Sequence, residues 1–163
     1  MIAFDGYRAG CLADIVGLHA RYYARHWNFG IAFETKVASE LAEFLSRFDE
    51  ESDLFIAAYE DGHVVGSIAV DLTGGGPDGA HLRWFIVSDA VRGSGLGGRL
   101  LNHAMDFCDG KRCAAWLTTF AGLDAARALY ERHGFVLASE IEQDQWRGGV
   151  REQLFRRPPA GAS

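Results

Sequence analysis

The chain has 163 residues, of which 48% are hydrophobic and 23% are charged, a composition typical of a soluble globular domain. Its formal net charge of −6 argues against a nucleic-acid partner, because phosphate contacts need clustered cations. No apolar run reaches the length of about 18 residues that a membrane helix needs, and the N-terminus lacks a signal-peptide pattern. We therefore expect a cytoplasmic protein with no membrane partner.

The sequence of the first half of the chain predicts one strand, then two helices, then two strands. Apolar residues recur with helical spacing in two stretches, and the period then changes to that of strands. The predicted elements are a strand at 2–4, helices at 11–27 and 33–48, and strands at 54–59 and 63–72. The dipeptide Asp61-Gly62 between the last two strands is typical of a tight β-hairpin turn.

The second half alternates strands and helices. The predicted elements are a strand at 80–87, a helix ending near 107, a strand at 114–119, a helix at 123–133, and strands at 135–141 and 150–155. The helix at 123–133 should be followed by Gly134 in a C-terminal cap position. Residues 158–163 are predicted to be a flexible tail. The order predicts one α/β (α+β) domain over residues 1–157 with a mixed sheet.

A glycine-rich loop between a predicted strand and a predicted helix is the most informative motif. Its sequence is Arg92-Gly93-Ser94-Gly95-Leu96-Gly97-Gly98. Glycine lets the backbone turn tightly and approach a ligand closely. The first N–H groups of the following helix have no internal acceptor and lie at the positive end of its dipole. This combination binds phosphate, and Arg92 adds a fixed positive charge.

The same loop also matches G-x-G-x-x-G, the fingerprint of dinucleotide-binding domains. That fingerprint requires an acidic residue about 20 positions further on, at the end of the next strand. Here the next strand ends in Leu117-Thr118-Thr119, which contains no acid. Four residues also separate Val87, at the end of the preceding strand, from Arg92. A nicotinamide-dinucleotide domain and a purely structural glycine turn therefore remain as weaker alternatives.

The loop resembles the acyl-CoA loop of the GNAT N-acetyltransferase superfamily, R-x-x-G-x-G, with Arg92, Gly95 and Gly97 in the motif positions. A second segment, residues 126–135, resembles the family's fourth helix and the Gly-Phe pair after it. Several further segments are similar to acetyltransferase domains fused to MarR-type regulators, here without the DNA-binding half. The resemblance implies a mixed, mostly antiparallel sheet of six to seven strands, with helices on both faces and a splayed central strand pair.

The resemblance also implies acetyl-CoA as cosubstrate, with no metal. Two groups of residues would hold it: the strand end at Phe85, Ile86 and Val87, and the glycine loop. The loop residues are Arg92, Gly93, Ser94, Gly95, Leu96, Gly97 and Gly98. Many members carry an asparagine that contacts the pantetheine arm, where this chain has Leu123. Leucine cannot make that polar contact but can pack against the arm. A non-catalytic acyl-CoA-binding sensor or interaction module is the alternative that this departure leaves open.

Transfer to an amine needs an acid for the departing thiolate and a route that deprotonates the amine. Tyr130 matches the tyrosine to which the family assigns the acid role. His81 and Glu34 are candidate bases, with His26, Glu142 or a water chain as alternatives. Tyr23, Trp27, Phe29, Phe33 and Trp146 beside Arg147 are candidates for the wall of the acceptor pocket.

The sequence does not define the acceptor, which is predicted to be a small-molecule or protein amine. Cys11, Cys108 and Cys113 lack metal-ligand spacing and are expected to be core residues. Strand edges near the C-terminal hairpin would permit a homodimer.

Overall fold

The computed structural model describes residues 1–142 and 151–161, and within them the chain forms seven strands and four α-helices. In chain order these are β1 (Ala3–Asp5), α1 (Cys11–Trp27), α2 (Ile31–Ser46), β2 (Asp53–Glu60), β3 (His63–Asp71), β4 (Ala80–Val87), α3 (Leu96–Lys111), β5 (Ala115–Phe120), α4 (Asp124–Arg132), β6 (Val136–Glu142) and β7 (Arg151–Arg157). None of these helices combines the length and hydrophobicity that a bilayer crossing requires.

All seven strands belong to one sheet, in the order β1-β2-β3-β4-β5-β7-β6. Each neighbouring pair is antiparallel except β4 and β5, which are parallel. The pairing of β4 with β5 is confined to Ala80 with Ala115 and His81 with Trp116. Beyond these residues the two strands separate. The predicted mixed sheet with a splayed central pair is confirmed.

Helices cover both faces of the sheet, each over its own hydrophobic core. Residues of α3 and α4, such as Leu100 and Tyr130, pack with Leu82 and Leu117 on one face. Residues of α1 and α2, such as Ile15, Leu41 and Phe44, pack with Phe55 and Trp84 on the other face. Burial of these side chains is the main force that joins helices to sheet.

Some predicted element ends were wrong. Helix α3 continues to Lys111 instead of stopping near 107, because its apolar stripe runs to the buried Cys108 and no neighbour crowds Gly110. The helix ends at Arg112, which has a left-handed backbone with φ of 53°. Helix α2 begins at Ile31 and ends at Ser46, two residues earlier at each end than predicted. Strand β7 extends to Arg157, two residues beyond its predicted end, while Val150, its predicted first residue, lies outside the described residues.

A bulge in β4 changes which of its side chains share a face. Between the pairs Ser67 with Ile86 and Ala69 with Arg83, β4 carries one residue more than β3. Trp84 lies there with φ of 49°, and its carbonyl accepts a 2.7 Å hydrogen bond from the Ser67 hydroxyl. Regular alternation along this strand would predict His81, Arg83, Phe85 and Val87 on one face, and the bulge makes that prediction wrong. Phe85 and Val87 pack toward the α3 and α4 side, while Trp84 belongs to the core under α1 and α2.

Candidate functional site

The glycine loop folds into a turn that leads directly into α3. Gly93 and Gly95 have φ of 78° and 83°, in the left-handed region that favours glycine. Within the described part of the chain, the N–H groups of Gly95, Gly97 and Gly98 donate to no protein acceptor. Three donors at the positive end of a 16-residue helix are therefore available to an anion.

Close packing fixes the first turn of α3 against the sheet. A Cβ on Gly66 of β3 would lie 3.0 Å from Leu96 and 3.1 Å from Leu100, so only glycine lets the helix approach this closely. A Cβ on Gly97 would lie 3.3 Å from the Leu129 side chain of α4. The N-terminal turn of α3 is thus held between β3 and α4, and its N–H groups have a defined direction.

Arg92 lies at the entrance of the loop within a small network of charges. Its guanidinium pairs with Asp89, which also accepts a 2.8 Å hydrogen bond from Arg25 of α1. The same guanidinium lies over the Tyr22 ring, 5.0 Å from its centroid. The pKa of Asp89 is lowered chiefly by its hydrogen bond to Arg92. The two arginines and one carboxylate leave a net positive charge beside the loop.

A cavity of about 800 Å³ opens in front of this loop, within the range of small-molecule sites. Of the predicted cofactor residues, those that line it are Phe85, Ile86, Val87, Arg92, Gly93, Gly95, Leu96, Gly97, Gly98 and Leu123. Ser94 is not among the lining residues. Its hydroxyl instead accepts a long, 3.4 Å hydrogen bond from the Leu96 N–H. The loop, one edge of β4 and the start of α4 therefore border one cavity.

In the part of the chain that the structure describes, the strand side of this cavity is an unpaired edge. Beyond His81, β4 has no pairing with β5, while Ile86 and Val87 remain paired with β3 on the other side. An extended ligand can therefore bind along residues 85–87 as an added strand, with amides of the ligand paired to strand backbone. The splay of β4 and β5 creates this edge.

A second cavity of about 460 Å³ lies on the α1 and α2 side of the splay. Its walls are mainly aromatic and charged, and include Phe33, Trp84, Trp116 and Phe120. Four residues line both cavities: Tyr23, Phe85, Thr119 and Tyr130. The two spaces therefore meet where β4 and β5 separate.

Tyr130 lies at this junction and is held there by its backbone. Phe135 N–H donates to the Tyr130 carbonyl at 3.0 Å, and Gly134 N–H donates to the Glu131 carbonyl at 3.1 Å. With Gly134 at φ of 94°, this is a Schellman motif, as expected for the predicted cap. The Tyr130 hydroxyl donates to no protein acceptor in residues 1–142 and 151–161. Burial raises the pKa of Tyr130, so its proton is retained at neutral pH.

The structure separates the two predicted bases. His81 lines the smaller cavity and stacks on Trp116 with ring centroids 3.8 Å apart. Burial, and secondly the charge of Arg83, lower the pKa of His81 to about 3, so its imidazole is neutral. Glu34 is exposed in the first turn of α2 and is not among the residues that line either cavity.

The alternative site residues have different positions. His26 is exposed and is not among the lining residues of the two cavities. Trp146, Arg147 and the side chain of Glu142 lie outside the described residues. Of the aromatic candidates, Tyr23 and Phe33 line the smaller cavity, whereas Trp27 and Phe29 do not.

Two residues of α1 belong to the site although the sequence indicated no catalytic role for them. His19 lines the smaller cavity, and its Nδ1 lies 2.8 Å from the Ile15 carbonyl oxygen. Burial lowers the pKa of His19 to about 4, so this imidazole is also neutral. Tyr23 follows one turn later and lies at the junction, where burial raises its pKa. The available signal was that positions 19 and 23 share one helical face that is otherwise apolar.

A group of three charged residues completes the smaller cavity. Arg83 of β4 pairs with Glu40 of α2 at 2.6 Å, and Lys36 pairs with the same carboxylate at 3.3 Å. All three line the cavity. We call them the Arg83 cluster. Sequence periodicity gave no signal for it, because α2 and β4 meet only in the folded chain.

Residues 18–135 match the family model described as the acetyltransferase (GNAT) family. No curated protein matches the sequence. No group of three or more potential metal ligands is found among the residues that the structure describes.

Solved structures with this fold are numerous. An acetyltransferase of the GNAT family from Staphylococcus aureus has a TM-score of 0.71 and 16% identity, covering 96% of this chain and 98% of the other. The ribosomal-protein-S18-alanine N-acetyltransferase from Escherichia coli has a TM-score of 0.70 and 22% identity, covering 100% and 97%. The NatC complex bound to Gag peptide and CoA has a TM-score of 0.74 and 18% identity, covering 97% and 98%. At these identities the likeness concerns the fold.

Proposed function

Since the chain belongs to the acetyltransferase (GNAT) family, we propose that it transfers the acetyl group of acetyl-CoA directly to a primary amine. In this proposal Tyr130 protonates the departing thiolate. The observation that carries the proposal is the junction of the two cavities at Tyr23, Phe85, Thr119 and Tyr130. One cavity has the features of a CoA site and the other can admit an amine from the opposite side of the sheet.

The lining of the larger cavity supports acetyl-CoA as its ligand. The free N–H groups of Gly95, Gly97 and Gly98 would bind the pyrophosphate, supported by the charge of Arg92. The unpaired edge at residues 85–87 would bind the pantetheine amides. Leu123 and Leu129 supply apolar contacts on the α4 side. When bound, acetyl-CoA supplies the thioester that the amine attacks.

The smaller cavity must deliver a neutral amine. A lysine-type amine with a pKa near 10.4 is neutral in about one molecule in 2,500 at pH 7, a handicap of about 4.6 kcal/mol. Aromatic walls disfavour the ammonium form by desolvation and so lower the amine pKa. We propose that these walls supply part of the deprotonation and that the proton leaves through solvent beside His81, whose low pKa makes its imidazole a weak base. Glu34 has no comparable support, because it is exposed and lines neither cavity.

Tyr130 has the properties that the acid role requires. Its raised pKa keeps Tyr130 protonated at neutral pH. The same desolvation raises the pKa of the departing thiolate, so that the thiolate becomes a base strong enough to take the Tyr130 proton. Its hydroxyl also has no protein acceptor in the described chain, so its proton is not committed elsewhere. Tyr23 lies at the same junction and can assist by a hydrogen bond.

The test is thiol release from acetyl-CoA across a panel of amines, with Tyr130→Phe as the variant and exposed Tyr7→Phe as the control. We expect Tyr130→Phe to lower kcat by about 100-fold or more, since a positioned acid contributes about 10² to 10⁴, with CoA affinity retained. Unaltered turnover would remove Tyr130 from the acid role.

The same assays separate the competing functions. Tight CoA binding by the native protein without acetylation of any amine would support the acyl-CoA-binding module instead. Thermal stabilisation by NAD but not by acetyl-CoA would support a dinucleotide site. We expect stabilisation by acetyl-CoA and CoA, and turnover with at least one class of amine.

A further inference from the structure

The Arg83 cluster is a charged group inside a cavity that is otherwise largely aromatic. It contains two cations and one carboxylate, held by the 2.6 Å contact of Arg83 with Glu40 and the 3.3 Å contact of Lys36 with Glu40. The formal charges of these three side chains sum to +1. A cation here lowers the pKa of an incoming amine by repulsion, and a guanidinium can in addition bind an anionic group of the acceptor.

Arg83 has hydrogen-bonding capacity that the protein does not use. A guanidinium has five N–H donors, and within the described chain only one hydrogen bond is formed, from Nη2 to Glu40. The side chain is 21% exposed, and its Cζ lies 4.2 Å from the centre of the Trp84 ring, which fixes the plane of the guanidinium. A largely buried, oriented guanidinium with unused donors is suited to bind a carboxylate or another oxyanion.

Among the described residues, the ionisable groups that line the cavity outside the Arg83 cluster are neutral or negative. His19 and His81 also line it, and burial keeps both neutral near pH 7. Asp71 lies near Arg83 but is held by Arg47 at 2.6 Å. Glu152 of β7 lines the cavity and is aligned with Phe120 of β5. Among the ionisable groups of the cavity, Arg83 combines a fixed positive charge with donors that are unused within the described chain.

Arg83 and the reacting junction belong to the same small cavity. Trp84 alone separates Arg83 from Phe85 in the sequence, and both Arg83 and Phe85 line this cavity. Phe85 lies at the junction where the amine must react. A molecule whose anion is bound by Arg83 can therefore present its amine to the junction within the same cavity. The cavity volume of about 460 Å³ is also that of a small-molecule site.

We propose that the acceptor is a small amine that also carries an anionic group, as an amino acid does, and that Arg83 binds this group. The Arg83 guanidinium, by holding the anion, orients the molecule with its nitrogen toward the junction. The inference rests on the proposed acetyl transfer and specifies its substrate class. Arg83 is then a residue that determines specificity.

The direct test uses matched acceptors that differ only in the anion. Each amino acid of a panel is compared with its own carboxamide, and phenylalanine is compared also with phenethylamine, by thiol release from acetyl-CoA. We expect kcat/KM to be about tenfold or more higher for the best anionic acceptor than for its matched amide, because a charge-assisted bond to a guanidinium is lost with the anion. The amide has the less basic amine, so this preference runs against the intrinsic trend in amine protonation.

Two variants of the cluster should act in opposite directions. Arg83→Gln should raise KM for the anionic acceptor by about tenfold or more and should abolish its preference over the matched amide. Glu40→Gln removes the competing carboxylate and should lower KM for the anionic acceptor. Arg8→Gln, an exposed arginine on the far edge of the sheet, is the control and should change neither. The opposite signs cannot arise from a general loss of folding.

The outcomes separate this inference from the proposed function. Amines turned over with no preference for an anion, or equal losses for both acceptors in Arg83→Gln, would overturn the inference and leave acetyl transfer in place. A peptide N-terminus preferred over every small anionic amine would also overturn it. Turnover of no amine at all would overturn the proposed function and the inference together.

Discussion

Gly95 and Gly98 lie three residues apart at the start of α3, yet alanine should have opposite effects at the two positions. Gly95 has φ of 83°, and nothing lies within 4 Å of a Cβ placed there. The cost of Gly95→Ala is therefore backbone strain alone, about 1 to 2 kcal/mol of unfolding free energy. Gly98 lies inside the helix without a positive φ and also without a close neighbour. There alanine should add about 0.5 to 1 kcal/mol, because glycine is the poorer helix former.

The effect on CoA follows from the same geometry. Alanine at Gly95 favours negative φ, so relaxation of the strain turns the neighbouring N–H groups away from the cavity. Loss of one N–H contact to a charged phosphate is worth about 1.5 to 3 kcal/mol, which raises the Kd for CoA about tenfold to a hundredfold. Gly98→Ala keeps its N–H and its helical backbone, so the Kd should change by less than about threefold.

Urea unfolding and calorimetric titration with CoA measure the two effects separately. The midpoint should fall for Gly95→Ala and rise for Gly98→Ala at an unchanged m-value. Equal shifts in stability for the two variants would refute the assignment of backbone strain to Gly95. An unchanged Kd in Gly95→Ala would refute the role of this loop in phosphate binding.

Two further predictions concern buried groups near the site. Because burial lowers the pKa of His19 from 6.5 to about 4, the unfolded chain takes up a proton below pH 6.5 that the folded chain does not. The free energy of unfolding should therefore decrease as the pH is lowered, and His19 alone should decrease it by about 2 kcal/mol at pH 5. His19→Leu should flatten this pH dependence, whereas exposed His63→Gln should not. Gly122 has φ of 102°, and a Cβ placed on it would lie 2.8 Å from the Trp27 ring. Gly122→Ala should therefore lower the free energy of unfolding by about 2 kcal/mol or more. A loss below about 0.5 kcal/mol would contradict the close packing there.

Much of the fold could be predicted because local pattern and tertiary packing agree. The apolar stripe of α1 and the Asp61-Gly62 turn determine their elements locally, and both were confirmed. The end of α3 could not be predicted, because the burial of Cys108 outweighs the turn preference of Asp109-Gly110. Periods of 3.6 and 2 also cannot show an extra residue in one strand. The bulge at Trp84 depends on pairing with β3 and was therefore missed.

In the candidate site too, one part could be predicted from the sequence and another could not. The CoA loop is one continuous segment whose chemistry is carried by glycines, so its sequence indicates its role. The acceptor cavity is assembled from α1, α2, β4, β5 and β7, and its charged residues meet only after folding. Glu34 and Glu40 are both acidic residues of α2, and sequence alone could not show that only Glu40 points toward Arg83.

Initial-rate kinetics tests the central claim most directly, because direct transfer requires both substrates to be bound at one junction. No cysteine in the described chain lines either cavity, so a thiol is not placed to carry the acetyl group between them. Varying acetyl-CoA at several fixed concentrations of an accepted amine should give double-reciprocal lines that intersect. Parallel lines, together with an acetylated protein after incubation with acetyl-CoA alone, would contradict direct transfer at the junction beside Tyr130.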